Sequence, residues 1–389
     1  MKILILSYFF KPDLSAGSFR TTSLIDEIQR KHPDKHVDVI TTVPNRYQAF
    51  KDKSLYEEHI DNISIYRAKV QDKRSGILGQ LINFFLFFFF TLKITKGQQY
   101  QLVYATSSKL MTAFLGAVIA TQKRAYLYLD IRDIFIDTLQ DVFSKKITLF
   151  IMPFLKPIEK FTFNRANHVN LVSKGFLPYF KKYYPKLSYS FFTNGIDDIF
   201  ISHSLKENND QPHQILEVIY AGNFGDGQGL HRIVPPLAKA LEGKAHFKII
   251  GDGGKKKELI DEIKKLNVSN VEIISPVKRD ILLQYYSEAD ILFLHLNDYD
   301  AFKKVIPSKI FEYACYQKPI WGGLSGYIVD FIDENISDAY IFSPCDVDQA
   351  INMFNKIRVG DIQKRQEFIN QFSRNVIMEK MADDIFSLK

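Results

Sequence analysis

Residues 126–133 read Tyr126-Leu127-Tyr128-Leu129-Asp130-Ile131-Arg132-Asp133, apolar at nearly every position until the run meets charge. A strand with one wet face alternates apolar and polar side chains. A run such as Tyr126-Leu127-Tyr128-Leu129 is what a strand buried on both faces shows, as in a parallel sheet covered by helices. Working outward, similar short runs bounded by turn residues fall at 3–7, 37–41, 63–67, 102–106 and 169–173, and again at 218–222, 247–251, 271–275, 291–295 and 320–322. Longer amphipathic stretches separate them, which is the α/β pattern. The residues from Gln363 onward read as helix with no strand to follow.

The chain has 389 residues, of which 46% are apolar and 24% charged. That composition excludes disorder and collagen, and at roughly 150 residues per domain the length suits two large domains. The most polar stretch, Ser202 to Gln214 with Glu207-Asn208-Asn209-Asp210-Gln211-Pro212, cannot pack and reads as a surface loop or linker. The domain boundary is expected near Asn194, just before it. Two doubly wound sheets in tandem follow from this pattern.

A net charge of +7 spread along the chain suits an anionic ligand or an anionic membrane surface. It carries neither a basic stripe nor a stacking platform, so nucleic acid is not expected as a partner. Cys315 and Cys345 lie outside any C-x-x-C spacing, which leaves no disulfide framework or zinc cluster. The opening Met1-Lys2-Ile3-Leu4-Ile5-Leu6-Ser7 is too short for the apolar region of a signal peptide, and a cytoplasmic location is expected.

Within Ser75 to Leu92 no residue is charged, and Phe84-Phe85-Leu86-Phe87-Phe88-Phe89-Phe90 is apolar all round a helix. At this length it sits at the threshold for a spanning helix. Gln80, Asn83 and Thr91 interrupt it, and it lies between two strands of one sheet, so the spanning reading is rejected. Two readings stay open. One is a buried crossover helix. The other is a helix with one face in an anionic bilayer, with Lys69, Lys73, Arg74, Lys93 and Lys96 as its basic flanks, so that residues 69–96 rest on the inner face of the cell membrane.

Several strand ends carry small residues before a helix, an arrangement that aims backbone N–H groups and a positive helix end at an anion. They are Lys11-Pro12-Asp13-Leu14-Ser15-Ala16-Gly17-Ser18-Phe19-Arg20, Tyr220-Ala221-Gly222-Asn223-Phe224-Gly225 and Ile249-Ile250-Gly251-Asp252-Gly253-Gly254. None is a G-x-G-x-x-G fingerprint or a P-loop. Together in a two-sheet protein they favour a nucleotide diphosphate held off the carboxyl ends of the strands. In Val305-Ile306-Pro307-Ser308-Lys309-Ile310-Phe311-Glu312-Tyr313, Pro307 and Ser308 fit a helix start. There Lys309 is available to phosphate and Glu312 to vicinal ribose hydroxyls; the bland alternative is a capped helix with a solvated Glu312.

These motifs, in this order, resemble GT-B glycosyltransferases of family four, especially bacterial surface-polysaccharide transferases close to fucosamine transferases. The carriers are Tyr8-Phe9-Phe10-Lys11-Pro12 with Gly17 and Arg20, Leu129 to Phe135, Thr193-Asn194-Gly195-Ile196-Asp197, Tyr220 to Asn223 with Gln228-Gly229-Leu230, Ile250 to Gly253, and Pro307 to Tyr313. The resemblance implies an α/β GT-B fold: two Rossmann-like doubly wound parallel-sheet domains facing across a cleft. The acceptor domain would span 1–193, with a C-terminal helix 373–389 returning to it, and the donor domain 194–372. It further implies a retaining reaction, no essential metal and no cofactor. The donor would be a nucleotide sugar, expected to be a UDP-sugar, and the acceptor a glycan or a polyprenyl-diphosphate-linked glycan.

By position, the resemblance places Gly17, Ser18, Arg20, Gly222, Asn223, Gly251, Asp252, Gly253, Val277, Ser308, Ile310 and Glu312 at the donor. It places Asp133 and Arg132 near the transferred sugar or acceptor hydroxyl. The pattern departs from the family at Lys304, where a first glutamate is common, and at Asn223 and Gln228, where a basic pair usually holds the diphosphate. Lys304, Lys309 and Arg20 are the replacements available to stabilise the leaving phosphate. For Asp133 an ion pair with Arg132 is the structural alternative. Asp298-Tyr299-Asp300 and Asp346-Val347-Asp348 have D-x-D spacing, but no metal is assigned to them. A nucleotide-sugar epimerase of the same architecture and a non-catalytic membrane-associated glycan-binding subunit are the rival functions. His168, His295 and Trp321 read as core residues.

Overall fold

In the computed structural model, residues 1–13, 15–44, 55–70, 77–107, 110–134, 145–204, 212–360, 362 and 364–387 are described. Lys73, Arg74 and Phe135, Leu14 of the first glycine turn, and most of the polar stretch 202–214 lie outside them. The chain divides into one unit of Met1–Asn194 with Arg374–Lys389 and a second of Gly195–Ser373.

The first unit is built on an eight-stranded sheet: β1 (Lys2–Leu6), β2 (His36–Thr42), β3 (Glu57–Ile60), β4 (Ile63–Ala68), β5 (Leu102–Thr106), β6 (Tyr126–Ile131), β7 (His168–Leu171) and β8 (Ser188–Ser190). Their spatial order is β3-β4-β2-β1-β5-β6-β7-β8. Every neighbouring pair is parallel except the β3–β4 hairpin at one edge. The central strands β5 and β6 are buried almost throughout, as their unalternating sequences require. The connection reverses between β1 and β5, and ligands of open α/β sheets sit off the carboxyl ends of strands at such a reversal.

The second unit holds a six-stranded, all-parallel sheet in the order β11-β10-β9-β12-β13-β14. Its strands are β9 (Leu216–Asn223), β10 (Ala245–Asp252), β11 (Val271–Ile274), β12 (Ile291–His295), β13 (Ile320–Gly323) and β14 (Ala339–Phe342). The reversal here is between β9 and β12. Trp321 is fully buried at the centre of an aromatic cluster with Phe247, Phe293, Phe342 and Phe354. His295 is likewise a satisfied core residue. Its Nδ1–H donates to the Gln228 carbonyl at 2.7 Å and its Nε2 accepts from the Cys345 amide at 3.0 Å. Burial pushes its pKa down to about 4, so the ring is neutral at physiological pH.

The C-terminal stretch is two helices, Gln366–Phe372 and Arg374–Ser387, broken at Ser373. The second packs on the first unit: Lys31 meets Asp383 at 2.7 Å and Glu379 at 3.1 Å, and the Tyr128 hydroxyl donates to Asp384 at 2.9 Å. Helix Ile77–Thr95 occupies the place of the Phe-rich run. Phe84, Phe87, Thr91 and Thr95 face inward, while Leu81, Phe85, Leu86 and Phe89 are exposed. The apolar character of the helix is therefore only partly explained by the core.

Candidate active site

On the second unit the sequence-singled residues collect at the carboxyl ends of β9 and β10 and on the connection after β12. Gly222 and Gly251 are register partners. Gly251 has φ +146°, and a Cβ there would lie 1.8 Å from the Gly222 carbonyl oxygen, so only glycine lets these strand ends approach. At Gly253 a Cβ would come within 2.6 Å of the Phe224 backbone. At Gly222 the missing side chain makes room for Lys309: a Cβ would sit 2.4 Å from its Cε and 3.0 Å from its Nζ. Lys309 thus lies over the end of β9, 6.0 Å from the ring of Tyr220.

Lys309 and Glu312 share the five-residue helix Lys309–Tyr313, and their spacing puts both on one face. The other face is core, with Ile310, Phe311 and Tyr313 fully buried. The Tyr313 hydroxyl accepts from the Ala221 amide at 3.3 Å, which ties this helix to β9. Half-buried Glu312 accepts a hydrogen bond from the Tyr286 hydroxyl at 3.1 Å. Tyr286 is itself fully buried, and burial together with the Glu312 charge keeps its phenol far from ionising. The sequence reading missed Tyr286 as a positioning residue, because it sits on helix Arg279–Glu288 with no local spacing that links it to Glu312.

The remaining donor-side candidates are placed less centrally. Ser308 caps the Lys309–Tyr313 helix without a side-chain hydrogen bond, and Val277 is half-buried after β11. Asp252 is exposed and accepts from the Gly253 amide at 2.8 Å. Ile310 departs from its expected role: its side chain is buried and its amide donates to the Pro307 carbonyl at 3.1 Å. Asn223 donates to Gln228 Oε1 at 2.9 Å, which also accepts from the Gly225 amide at 3.2 Å. The two positions where the resembled family keeps a basic pair are therefore bonded to each other. Lys304 ends the short turn Phe302–Lys304 after β12, and it is Lys309 that lies against Gly222. Asp298 and Asp300 both pair with Lys303, at 3.3 and 2.9 Å. Among the described residues no three His, Cys, Asp or Glu side chains are grouped to hold a metal ion.

On the first unit Gly17 opens helix Ala16–Lys31, off the end of β1, and Arg132 and Asp133 follow β6. A Cβ on Gly17 would lie 2.6 Å from Arg132 Nη1, so the glycine is what lets the guanidinium reach this helix end. The Arg132 amide donates to Ser107 Oγ at 3.0 Å and Nη2 reaches Asn194 Oδ1 at 3.4 Å. The Arg132 charge also acts on the neighbouring Asp133 carboxyl.

Ser18 and Arg20 require correction. Ser18 is buried and its amide donates to Ser15 Oγ at 3.2 Å as part of the helix cap. Arg20 is fully buried and gripped by fully buried Asp130 through Nε–Oδ2 and Nη2–Oδ1 contacts of 2.8 and 2.9 Å. It also donates to the Phe192 carbonyl at 2.9 Å, to the Thr193 carbonyl and to Met381 Sδ at 3.4 Å. Asp130 also accepts from the Tyr104 hydroxyl at 2.9 Å and from Asn170 Nδ2 at 2.7 Å. Burial pushes the Asp130 carboxyl up, but the Arg20 guanidinium more than offsets this and holds it below its ordinary value. Arg20 is thus a structural strut, whereas Arg132 is half-buried and lies against Gly17.

Asp133 keeps exposed surface, yet dense surroundings desolvate its carboxyl and push its pKa up to about 6, against the opposing pull of Arg132. A carboxylate tuned toward neutrality is a candidate for a functional position. Its sign on stability is unfavourable: the unfolded group ionises near 3.8 and the folded one near 6, so this group opposes folding progressively as pH rises through that window. Asp133→Asn is expected to raise the melting temperature at pH 8, with the gain shrinking toward pH 4. A variant less stable than wild type at pH 8 would contradict this placement.

Residues 203–374 match the family model described as Glycosyl transferases group 1. No curated protein sequence matches the chain. The fold is similar to sucrose-phosphate synthase from Thermosynechococcus elongatus, with 12% identity, TM-score 0.73 and coverage of 100% of this chain and 99% of that one. It is similar to Anabaena HepE solved with UDP-glucose, at 16% identity, TM-score 0.69 and coverage of 100% and 99%. It is also similar to the catalytic domain of starch synthase IV from Arabidopsis thaliana, bound to ADP and acarbose, at 12% identity, TM-score 0.64 and coverage of 100% and 98%. The two-domain GT-B fold is therefore that of this chain.

Proposed function

We propose that the chain, whose residues 203–374 match the family model described as Glycosyl transferases group 1, is a retaining transferase. It moves a sugar from a nucleotide diphosphate, a UDP-sugar, to a glycan or polyprenyl-diphosphate-linked acceptor in surface-polysaccharide synthesis at the cytoplasmic face of the membrane. The observation that carries this reading is the convergence at the β9/β12 reversal of Gly222, Lys309 and Glu312, beside the close-packed Gly251. Solved structures with this fold bind UDP-glucose, UDP and ADP, which supports the donor class.

In this reading Glu312, oriented by Tyr286, accepts from the vicinal ribose hydroxyls, and the glycine-walled strand ends admit the nucleotide. Lys309 neutralises the diphosphate as the glycosidic bond breaks, with Lys304 as a second cation, so the charge is met by side chains of this chain instead of a metal. The transition state is oxocarbenium-like. A phosphate oxygen of the leaving group takes the acceptor proton on the same face, so no protein base is needed. Arg132 and Asp133 serve on the first unit, next to the acceptor.

The test is a thermal-shift screen of UDP-, GDP-, ADP- and dTDP-sugars, since a ligand that binds only the folded state raises the melting temperature. UDP-sugars are expected to give the largest rise, and release of UDP is expected to require an acceptor. A rise with none of these donors would overturn the reading, and product formation from the sugar nucleotide alone would favour an epimerase.

A further inference from the structure

The exposed face of helix Ile77–Thr95 is apolar and is left uncovered by the described residues. Leu81, Phe85 and Phe89 follow one another at four-residue spacing, and Leu86 widens the stripe; Phe85 and Phe89 are 52% and 64% exposed. Their rings stack at 6.5 Å, so the face is a continuous aromatic surface. Scattered exposed apolar residues need no explanation, but a contiguous patch of this kind does.

The β3–β4 hairpin extends this face. Leu55 and Tyr56, just before β3, are 63% and 58% exposed. A groove of about 420 Å³ runs between hairpin and helix, lined by Tyr56, Tyr66 and Ala68 on one side and by Leu86, Phe90 and Ile94 on the other. Lys69 stands on its rim, and exposed Lys93 and Lys96 close the helix end. Of the other charges there, Arg67 pairs with Glu58 at 3.0 Å, and Glu57 contacts His59 at 3.0 Å. Lys69, Lys93 and Lys96 outnumber the Glu57 carboxylate that lines the groove, which leaves an excess of positive charge beside an aromatic surface, the combination that matches an anionic bilayer. No helix among the described residues is long and apolar enough to cross a membrane.

We propose that the face formed by Leu81, Phe85, Leu86, Phe89 and Tyr56 docks on an anionic lipid bilayer, with one lipid hydrocarbon chain entering the groove beside Phe90 and Ile94. The proposal deepens the lipid-linked acceptor reading and rests on it for the identity of the surface. Docking holds the first unit where such an acceptor is embedded.

The test is co-sedimentation of the full chain with phosphatidylcholine vesicles and with vesicles containing phosphatidylglycerol. Wild type should pellet with the anionic vesicles at low salt and be released at high salt. Phe85→Ser with Phe89→Ser should lower partitioning more than about tenfold, and Lys93→Gln about fivefold. A protein that stays soluble with both vesicle types overturns the proposal. So does undiminished binding by the Phe variant, or a wild-type dimer that the Phe variant converts to monomer without any vesicle binding, which would assign the face to a second copy. The melting-temperature rise with UDP is measured on the same samples. Its retention in the Phe variant shows an intact fold, and vesicle binding without any UDP effect would discard the donor reading while leaving the docking face standing.

Discussion

Glu312→Gln is expected to lower kcat/KM for sugar transfer by about 10²-fold or more while leaving the fold intact. The substitution keeps the shape of the side chain and an oxygen able to accept from Tyr286, but removes the charge. Hydrogen bonds to an ionised partner contribute about 1.5–3 kcal/mol each, and a carboxylate facing two vicinal ribose hydroxyls makes two. Replacing it by an amide weakens both and turns an N–H toward one of them. Glu312→Ala should be more severe, because it also leaves the fully buried Tyr286 hydroxyl without its acceptor. Tyr286→Phe separates positioning from contact: Glu312 stays charged but loses its anchor, so the expected change is a raised KM for the donor with a smaller effect on kcat. Full activity in Glu312→Gln would remove this residue from the site.

The largest effect on stability is expected at Asp130. Asp130→Asn strands the Arg20 guanidinium, 1% exposed, without a countercharge, and also weakens the acceptor shared by Tyr104 and Asn170. Breaking a buried pair from one side costs about 3–5 kcal/mol. In a unit of this size that corresponds to a melting-temperature drop on the order of 10 °C. The pair also joins elements far apart in sequence, since Arg20 comes from the first helix, Asp130 from β6, and the carbonyls of Phe192 and Thr193 from the end of the unit. Because the Asp130 carboxyl is held below its ordinary value, the stability it contributes is present above that value and is lost only as pH falls through the lower, folded one. A variant that melts within a degree or two of wild type would show that the strut contributes little.

The contrast between Arg20 and Arg132 shows how far the sequence could be read. Both arginines lie near glycine turns or strand ends, and local spacing makes either one a candidate for an anion. What separates them is Asp130, on a strand whose alignment with Arg20 depends on sheet order and not on proximity in sequence. The buried parallel strands were legible because burial on both faces leaves an unalternating apolar run. The strands β3, β8 and β14 were not, since Glu57–Ile60, Ser188–Ser190 and Ala339–Phe342 are short and lie at sheet edges, β3 largely exposed and the other two mostly half-buried. Of the site, the glycines and the Lys309–Glu312 pair stand out in the sequence because backbone approach and helical spacing are local properties. Tyr286, and the mutual bond that occupies Asn223 and Gln228, depend on side-chain packing that no spacing expresses.

A crystal structure of the chain soaked with UDP tests the central claim most directly. Ribose hydroxyls are expected within about 2.6–3.2 Å of the Glu312 carboxylate, phosphate beside Lys309, and the nucleotide against the Gly222 and Gly251 strand ends. UDP bound at another place, or a Glu312 side chain turned away from the bound nucleotide, would contradict it.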